Sequence, residues 1–591
     1  MSKSLDWSEL EGKVTDWLYN AVVGLGFEKM TPVQAAVIPN FSLNKDVVVE
    51  AVTGSGKTLS FVVPVVDRLT KLENITKKRA IYGVVVAPTR ELALQISKVF
   101  ESMLKFQPEE DAIKIQNLVG GVQSIEDDIR QYKKNTPQII VGTPGRLAEF
   151  FHKITPKNVE VLVFDEADRL LDASFQKEID FILSSLPKQK RVGLFSATML
   201  SDVATQNLHR TGLRNPVRIV VNSKGHKPNT LHLSYSLVSP DQKIEHLISI
   251  LNTFHFRKSI VYFPTCVSVE HFYLLFRHIS THYNLGLSFY SLHGKLKTQA
   301  RIKTLDKFEN NHDSKSVLLT TDVAARGIDV ENVDLVVQLD PPQDPDVFVH
   351  RCGRAGRANN TGYAITLLTE GREEDYIDFL QVRGTELEQF EKKVPRIDGF
   401  QQLVKKWMLQ DRLRHDKAVR SFVSYVRYYS KHTATSIFRV QSLDYVGLGK
   451  AYGLFRLPKM PEISSHVKDV KDGFIDDTVD FKGYKYADEQ KEVKRLEELK
   501  AEEKKAQNKE KRLEKKKKDL TNVAWSKSNN TKQDRSDRFQ QSDAAKRKRE
   551  MELVESDDEA EQKDWKDLIR ESKKEKKQKK QQAIMGDFDD L

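Results

Sequence analysis

The segment that most constrains this chain is a short apolar run, Val47 to Val49, that leads into AVTGSGKT, Ala51 to Thr58, and then into an apolar helical stretch. A strand, a glycine-rich turn and a helix in that order form a phosphate cradle. The glycines allow backbone N–H groups to point inward, and the helix directs its positive end at the same anion. Thr53, Gly54, Ser55 and Gly56 supply the cradle, Lys57 a point charge for the outer phosphates, and the Thr58 hydroxyl a ligand for Mg2+. Such a loop sits at the C-terminal edge of a parallel sheet, so at least one α/β unit is required.

The rest of the first part agrees. Further β-branched runs at 84–86, 139–141, 161–164 and 192–195 alternate with amphipathic stretches, the pattern of strands and helices around a parallel sheet. NSKGHKPNT, residues 222–230, has the composition of a linker, and a second alternating series follows at 259–263, 287–290, 317–320, 335–339 and 363–368. From about 391 the pattern turns helical. Phe422, Tyr425, Val426 and Tyr429 share one helix face and are expected in a core, not on a base-stacking surface. Beyond about 465 apolar content collapses into blocks of charge, as in a solvated or disordered tail. The expected division is 1–222, 230–390, a helical extension at 391–460 and a charged tail at 461–591.

The 591 residues carry a net charge of +11, and the tail is nearly balanced, so the excess positive charge belongs to the folded part and suits a polyanion. The two cysteines, Cys266 and Cys352, have no CxxC spacing; they read as small buried hydrophobes in a reducing compartment, without a disulfide or zinc site. No apolar run approaches membrane-spanning length and the N-terminus has no secretory pattern, so neither membrane nor secretion is expected.

The strand 161–164 ends in Asp165-Glu166-Ala167-Asp168. Carboxylates at such a strand end suit Mg2+ binding by Asp165 and orientation and deprotonation of the attacking water by Glu166. With HRCGRAGR at 350–357 added to the phosphate loop and the DEAD string, the chain resembles the DEAD-box RNA helicases over about residues 7–370. The resemblance implies two tandem RecA-like α/β domains flanking an ATP cleft, with RNA as partner.

Carried over by matching motif, it implies that Trp7 and Gln34, the latter in GFEKMTPVQ, recognise adenine. Asp329 would contact the ribose, and Arg354 and Arg357 would act as arginine fingers. Ser196 and Thr198 of SAT, with Asp168 and His350, would couple the ATP site to strand separation. RNA would be held by Thr89, Arg90, Gly120, Gly121, Thr143 and Arg146 of the first domain and by Arg301 and Thr321 of the second. Thr298 stands where many members have glutamine. His293 is read as a turn histidine without a catalytic task.

The segment Val404 to Arg456 resembles the extension of a subgroup acting in nucleolar ribosome assembly, which implies a ribosomal-RNA helicase of large-subunit assembly. Its partners would then be pre-ribosomal RNA and the proteins of pre-ribosomal particles, its state monomeric, and its location nucleus and nucleolus, otherwise cytoplasm. Lys546 to Arg549 and the lysines between Lys573 and Lys580 suit import receptors. An ATP-gated RNA clamp that scaffolds partners with little unwinding is the alternative; a P-loop GTPase or kinase fits less well, because Gln34 suits adenine.

Overall fold

The computed structural model describes residues 5–501 except 53, 73–79, 109–111, 197–208, 222–230, 312–313, 323–329, 331, 357–360, 393, 467–473, 477 and 482. The linker expected at 222–230 and the basic blocks of the tail therefore lie outside the described residues.

Two seven-stranded parallel sheets carry the fold. The first comprises β1 (Val47–Ala51), β2 (Gly83–Val86), β3 (Ile115–Leu118), β4 (Ile139–Gly142), β5 (Val161–Asp165), β6 (Arg191–Ser196) and β7 (Val217–Val221), in the order β3-β4-β2-β5-β6-β1-β7. The second comprises β8 (Leu231–Val238), β9 (Lys258–Tyr262), β10 (Leu287–Leu292), β11 (Lys315–Thr320), β12 (Leu335–Gln338), β13 (Gly362–Thr369) and β14 (Glu388–Gln389), in the order β10-β11-β9-β12-β13-β8-β14.

Central strands such as β1, β2, β4 and β5 are buried along their whole length. Helices cover both faces of such a sheet, which is why these strands read as continuous apolar runs. The sequence pattern missed β3, β7, β8 and β14. β3, β7 and β14 lie at or near the sheet edges, and in all four strands incompletely buried positions break up the apolar run.

The helices Phe400–Leu409, Arg412–Tyr429 and Tyr445–Ala451 do not form a core of their own. Phe422, Tyr425, Val426 and Tyr429 are buried, as expected, and they join the second sheet's residues in one continuous apolar cluster. The helix Arg412–Tyr429 lies against Cys266–His282. Packing also runs past residue 460, where the tail was expected to begin. Tyr484 is buried, Arg412 donates to the carbonyls of Phe481 and Tyr484 at 3.0 and 3.1 Å, and the Tyr486 hydroxyl meets Asp416. A few aromatics suffice to hold a strap whose average composition is that of a tail. Residues 488–591 form a second unit, in which residues 489–501 are helical.

Three histidines are buried in and beside the extension: His271 against Tyr452, His415 against Phe455 and Tyr484, and His432 against Phe438. Burial lowers His271, His415 and His432 to about 4 each. In the unfolded chain they bind protons below about 6.5, so stability is complete above that pH and falls as pH drops toward 4, by up to about 1.4 kcal/mol per pH unit for each. The urea midpoint of the full chain should fall steeply between about pH 6.5 and 5. A His271→Gln, His415→Gln double variant with the same slope as wild type would show that other groups set it.

Candidate functional site

All strands of the first sheet run parallel, so every strand's C-terminal end lies on one edge, where ligands of α/β folds bind. The spatial order divides that edge. β3, β4 and β2 lead into Gly120 and Gly121, Thr143, and Thr89 and Arg90, while β5, β6 and β1 lead into Asp165, Ser196 and the phosphate loop.

In the nucleotide half, Gly56 caps the helix Lys57–Thr70 with φ 86°, a left-handed conformation that a β-carbon would strain. A Cβ there would also lie 2.6 Å from Gln34 Nε2. Gln34 accepts from the Thr31 N–H at 2.8 Å through Oε1 and donates to the Gly56 carbonyl at 3.3 Å through Nε2. Gln34 is thereby placed directly on the phosphate loop. Trp7 is buried in the first domain's core cluster, and its indole N–H donates to the Phe27 carbonyl at 2.9 Å, in the segment that leads to the helix Pro32–Ser42.

The Lys57 ammonium donates to the Ala51 carbonyl at 2.5 Å. Burial lowers its pKa; Asp165, Glu166 and Asp168 oppose that, and Arg354 from the second domain adds to it. Ser55 and Thr58 are half-buried beside it, Gly54 is exposed, and Thr53 lies outside the described residues. Asp165, at the buried end of β5, is pushed up to about 6 chiefly by burial, with Lys57 pulling the other way. Glu166 follows in a left-handed conformation, φ 53°, unusual for a residue with a side chain and a mark of local strain at a working site.

The second wall is the helix Asp346–Cys352 and the turn after it. His350 Nε2 lies 3.5 Å from Asp168 Oδ2, across the cleft, and Arg354 is buried with Nε donating to the His350 carbonyl at 3.2 Å. Ser196 is buried at the end of β6. Thr198, Asp329 and Arg357 lie outside the described residues. Cys352 is buried, its thiol pushed up to about 12 by burial and so unreactive, whereas Cys266 is only half-buried at a helix start.

In the other half of the edge the two domains touch. Arg90 Nη1 donates to Thr298 Oγ1 at 2.7 Å, and Arg301 Nη2 pairs with Glu91 Oε1 at 2.7 Å. Gly121 borders the first contact so closely that a Cβ would lie 2.8 Å from Thr298 Oγ1. Thr89 caps its helix by accepting from the Leu92 N–H at 3.3 Å, Thr143 precedes the helix Pro144–Phe151, and Thr321 is buried just after β11. Arg146 is arranged otherwise than expected. It is buried, with Nε on Asp128 at 2.6 Å, Nη1 on Glu149 at 2.9 Å and Nη2 on the Gln123 carbonyl at 2.6 Å. All three guanidinium nitrogens are engaged, tying the helix Pro144–Phe151 to the start of Ile125–Asn135, and a direct grip on RNA would first have to break a buried ion pair.

Two polar residues escaped the sequence reading. Glu91, inside PTREL, partners Arg301. Arg351, inside HRCGRAGR, is fully buried with Nε on Asp322 at 2.6 Å and its guanidinium over the Tyr262 ring. Both stand in motifs already singled out, and only the three-dimensional pairing distinguishes them from their neighbours.

Comparison with known proteins agrees with this geometry. The DEAD/DEAH box helicase family matches residues 31–206 and the helicase conserved C-terminal domain residues 242–359. The C-terminal extension and the C-terminal tail of the ATP-dependent rRNA helicase SPB4-like proteins match residues 411–460 and 486–591. The chain is 47% identical to the ATP-dependent rRNA helicase SPB4 of Vanderwaltozyma polyspora, covering 100% of both, and 47% identical to that of Saccharomyces cerevisiae, again covering 100% of both. A structure of Mss116p bound to single-stranded RNA and AMP-PNP shares the fold, with a TM-score of 0.66 at 22% identity over 76% of this chain and 91% of that one. Spanning those relatives from end to end, the chain belongs to the DEAD-box helicases and, within them, to the family of the ATP-dependent rRNA helicase SPB4.

Proposed function

We propose that this chain is an RNA-dependent ATPase that opens short duplexes locally in pre-ribosomal RNA, or remodels the surrounding particle, during large ribosomal subunit assembly. The observation that carries the reading is the split sheet edge. Nucleotide-directed groups and RNA-directed groups occupy adjacent halves of one edge, and the second domain reaches both, through His350 at Asp168 and through Thr298 and Arg301 at Arg90 and Glu91.

On this reading the N-terminal and C-terminal RecA-like domains meet at the 222–230 linker, and ATP binds between them. Gln34 exchanges its contact with Gly56 for the adenine edge, Lys57 leaves the Ala51 carbonyl for the outer phosphates, and Asp329 takes the ribose. Thr58 and Asp165 fit Mg2+, which usually keeps only one or two protein ligands and completes its shell with phosphate oxygens and water. Glu166 orients and deprotonates the attacking water, and Arg354 with Arg357 neutralises charge on the γ-phosphate once the domains close. Thr89, Arg90, Gly120, Gly121, Thr143, Arg301 and Thr321 hold the RNA backbone, a grip that reads no sequence. Asp168, Ser196, Thr198 and His350 couple the two halves. The enzyme works as a monomer in the nucleolus among pre-ribosomal proteins.

Purified full-length protein should hydrolyse ATP in preference to GTP and be stimulated by RNA. Crosslinking in growing cells should map it to the precursor of the large-subunit rRNA. ATPase indifferent to RNA would overturn the enzymatic half of the reading, and crosslinks confined to other RNAs the biological half.

A further inference from the structure

The loop that delivers the arginine-bearing helix to the cleft is held mainly by groups outside it. Between the end of β12 and the helix Asp346–Cys352 the chain passes through Asp340, Pro341, Pro342 and Gln343, and the two prolines offer carbonyls without N–H groups. Its own domain holds the start of the loop, with Lys243 Nζ on Asp340 Oδ1 at 2.6 Å, and further braces come from the helical extension. The Tyr428 hydroxyl donates to the Pro341 carbonyl at 3.0 Å, and Gln343 Nε2 donates to the Tyr428 carbonyl at 2.6 Å. The Gln343 carbonyl accepts from the Thr433 N–H at 3.0 Å and its hydroxyl at 2.8 Å, and Tyr425 reaches Asp340 at 3.3 Å.

The same loop holds Arg351. Its Nη1 donates to the Asp340 carbonyl at 2.9 Å and to Gln338 Oε1 at 3.2 Å, while its Nε pairs with Asp322, the residue after Thr321. A path of direct contacts therefore runs from the last two turns of Arg412–Tyr429, through the proline loop, to the helix that carries His350 and to Arg354 just beyond it.

We propose that Tyr428, bound to the Pro341 carbonyl and bracketed by Gln343, is a positioning residue for ATP hydrolysis: it fixes the loop that sets where Arg354 stands against the phosphates. The extension is then part of the hydrolytic machinery at one remove, in addition to enlarging the core. The inference rests on the reading of Arg354 as the cation for the γ-phosphate.

The test uses full-length Tyr428→Phe and Gln343→Ala proteins. Each should lower kcat of RNA-stimulated ATPase by about tenfold, the worth of roughly one hydrogen bond, while KM for ATP stays near wild type and the thermal midpoint falls no further than in Tyr445→Phe. KM is spared because Gln34 and Lys57 belong to the other domain. Tyr445→Phe is the structural comparison, since it removes a hydroxyl that donates to the Val440 carbonyl at 2.9 Å within the same extension but away from the loop. It should lower the midpoint and leave kcat intact. Wild-type kcat in Tyr428→Phe, or a loss of kcat that merely follows the midpoint as in Tyr445→Phe, overturns the proposal. Arg354→Ala separates the two readings: if it hydrolyses ATP normally, the assignment of Arg354 fails, whereas an inactive Arg354→Ala beside an unaffected Tyr428→Phe refutes only the positioning role.

Discussion

Replacing Lys57 with alanine is expected to reduce ATPase activity by about a hundredfold or more, and Glu166→Gln to reduce it comparably while leaving ATP and RNA bound. The two losses differ in kind. Lys57 is the cation beside the phosphate loop, its charge favoured by Asp165, Glu166 and Asp168, and its removal would leave three carboxylates where the triphosphate is proposed to bind. Binding and chemistry should fail together. Glu166→Gln keeps the shape and hydrogen-bonding capacity at the strained position after β5 but lacks a base, so the closed complex should form and persist. Equilibrium binding of a fluorescent RNA in the presence of ATP, followed by dissociation after dilution, separates the cases: weak for Lys57→Ala, tight and slow for Glu166→Gln. Near-normal turnover by the glutamine variant would remove Glu166 from its assigned role.

What could be read from the chain, and what could not, follows from how local each feature is. The phosphate loop and the DEAD string are contiguous, and each is fixed by one strand end and one helix start, so residue types at short spacing suffice. The central strands were legible because both faces are buried. β3 and β14 were not, because one is half-polar and the other only two residues long. Arg146 illustrates a subtler limit: its motif points to RNA, yet the geometry pairs it with Asp128 on another helix and with Glu149 on its own. The Arg90 to Thr298 contact spans 208 positions and depends on how two domains meet. No periodicity encodes that, and neither does any pattern place Tyr428 on the loop that leads to Arg354.

Unwinding should be local, with yield falling steeply as duplex length grows. On the proposed reading ATP joins groups from two domains, Lys57 on one side and Arg354 on the other, so it would stabilise the closed arrangement by its differential affinity for that state. The RNA-directed groups are divided between the same two domains, and Arg90, Glu91, Thr298 and Arg301 pair with one another across the boundary. When RNA is present, Arg90 and Arg301 can exchange these partners for phosphates, so that closure on ATP and grip on one strand strengthen together. A strand held by both domains would be bent away from A-form geometry and would shed its complement over a few base pairs. Taking about 1.4 kcal/mol per stacked step by analogy with DNA, each added pair adds that amount to the cost of one closure and lowers the equilibrium for opening about tenfold. Glu166→Gln should therefore support a single round of opening of a short duplex, because closure precedes hydrolysis, and hydrolysis serves release. Arg354→Ala should support none. Rapid-quench assays on duplexes of increasing length, started from prebound protein, give the decisive measurement: a steep fall in single-round yield is expected, and repeated turnovers that clear a long duplex from one binding event would replace local opening with travel along the strand.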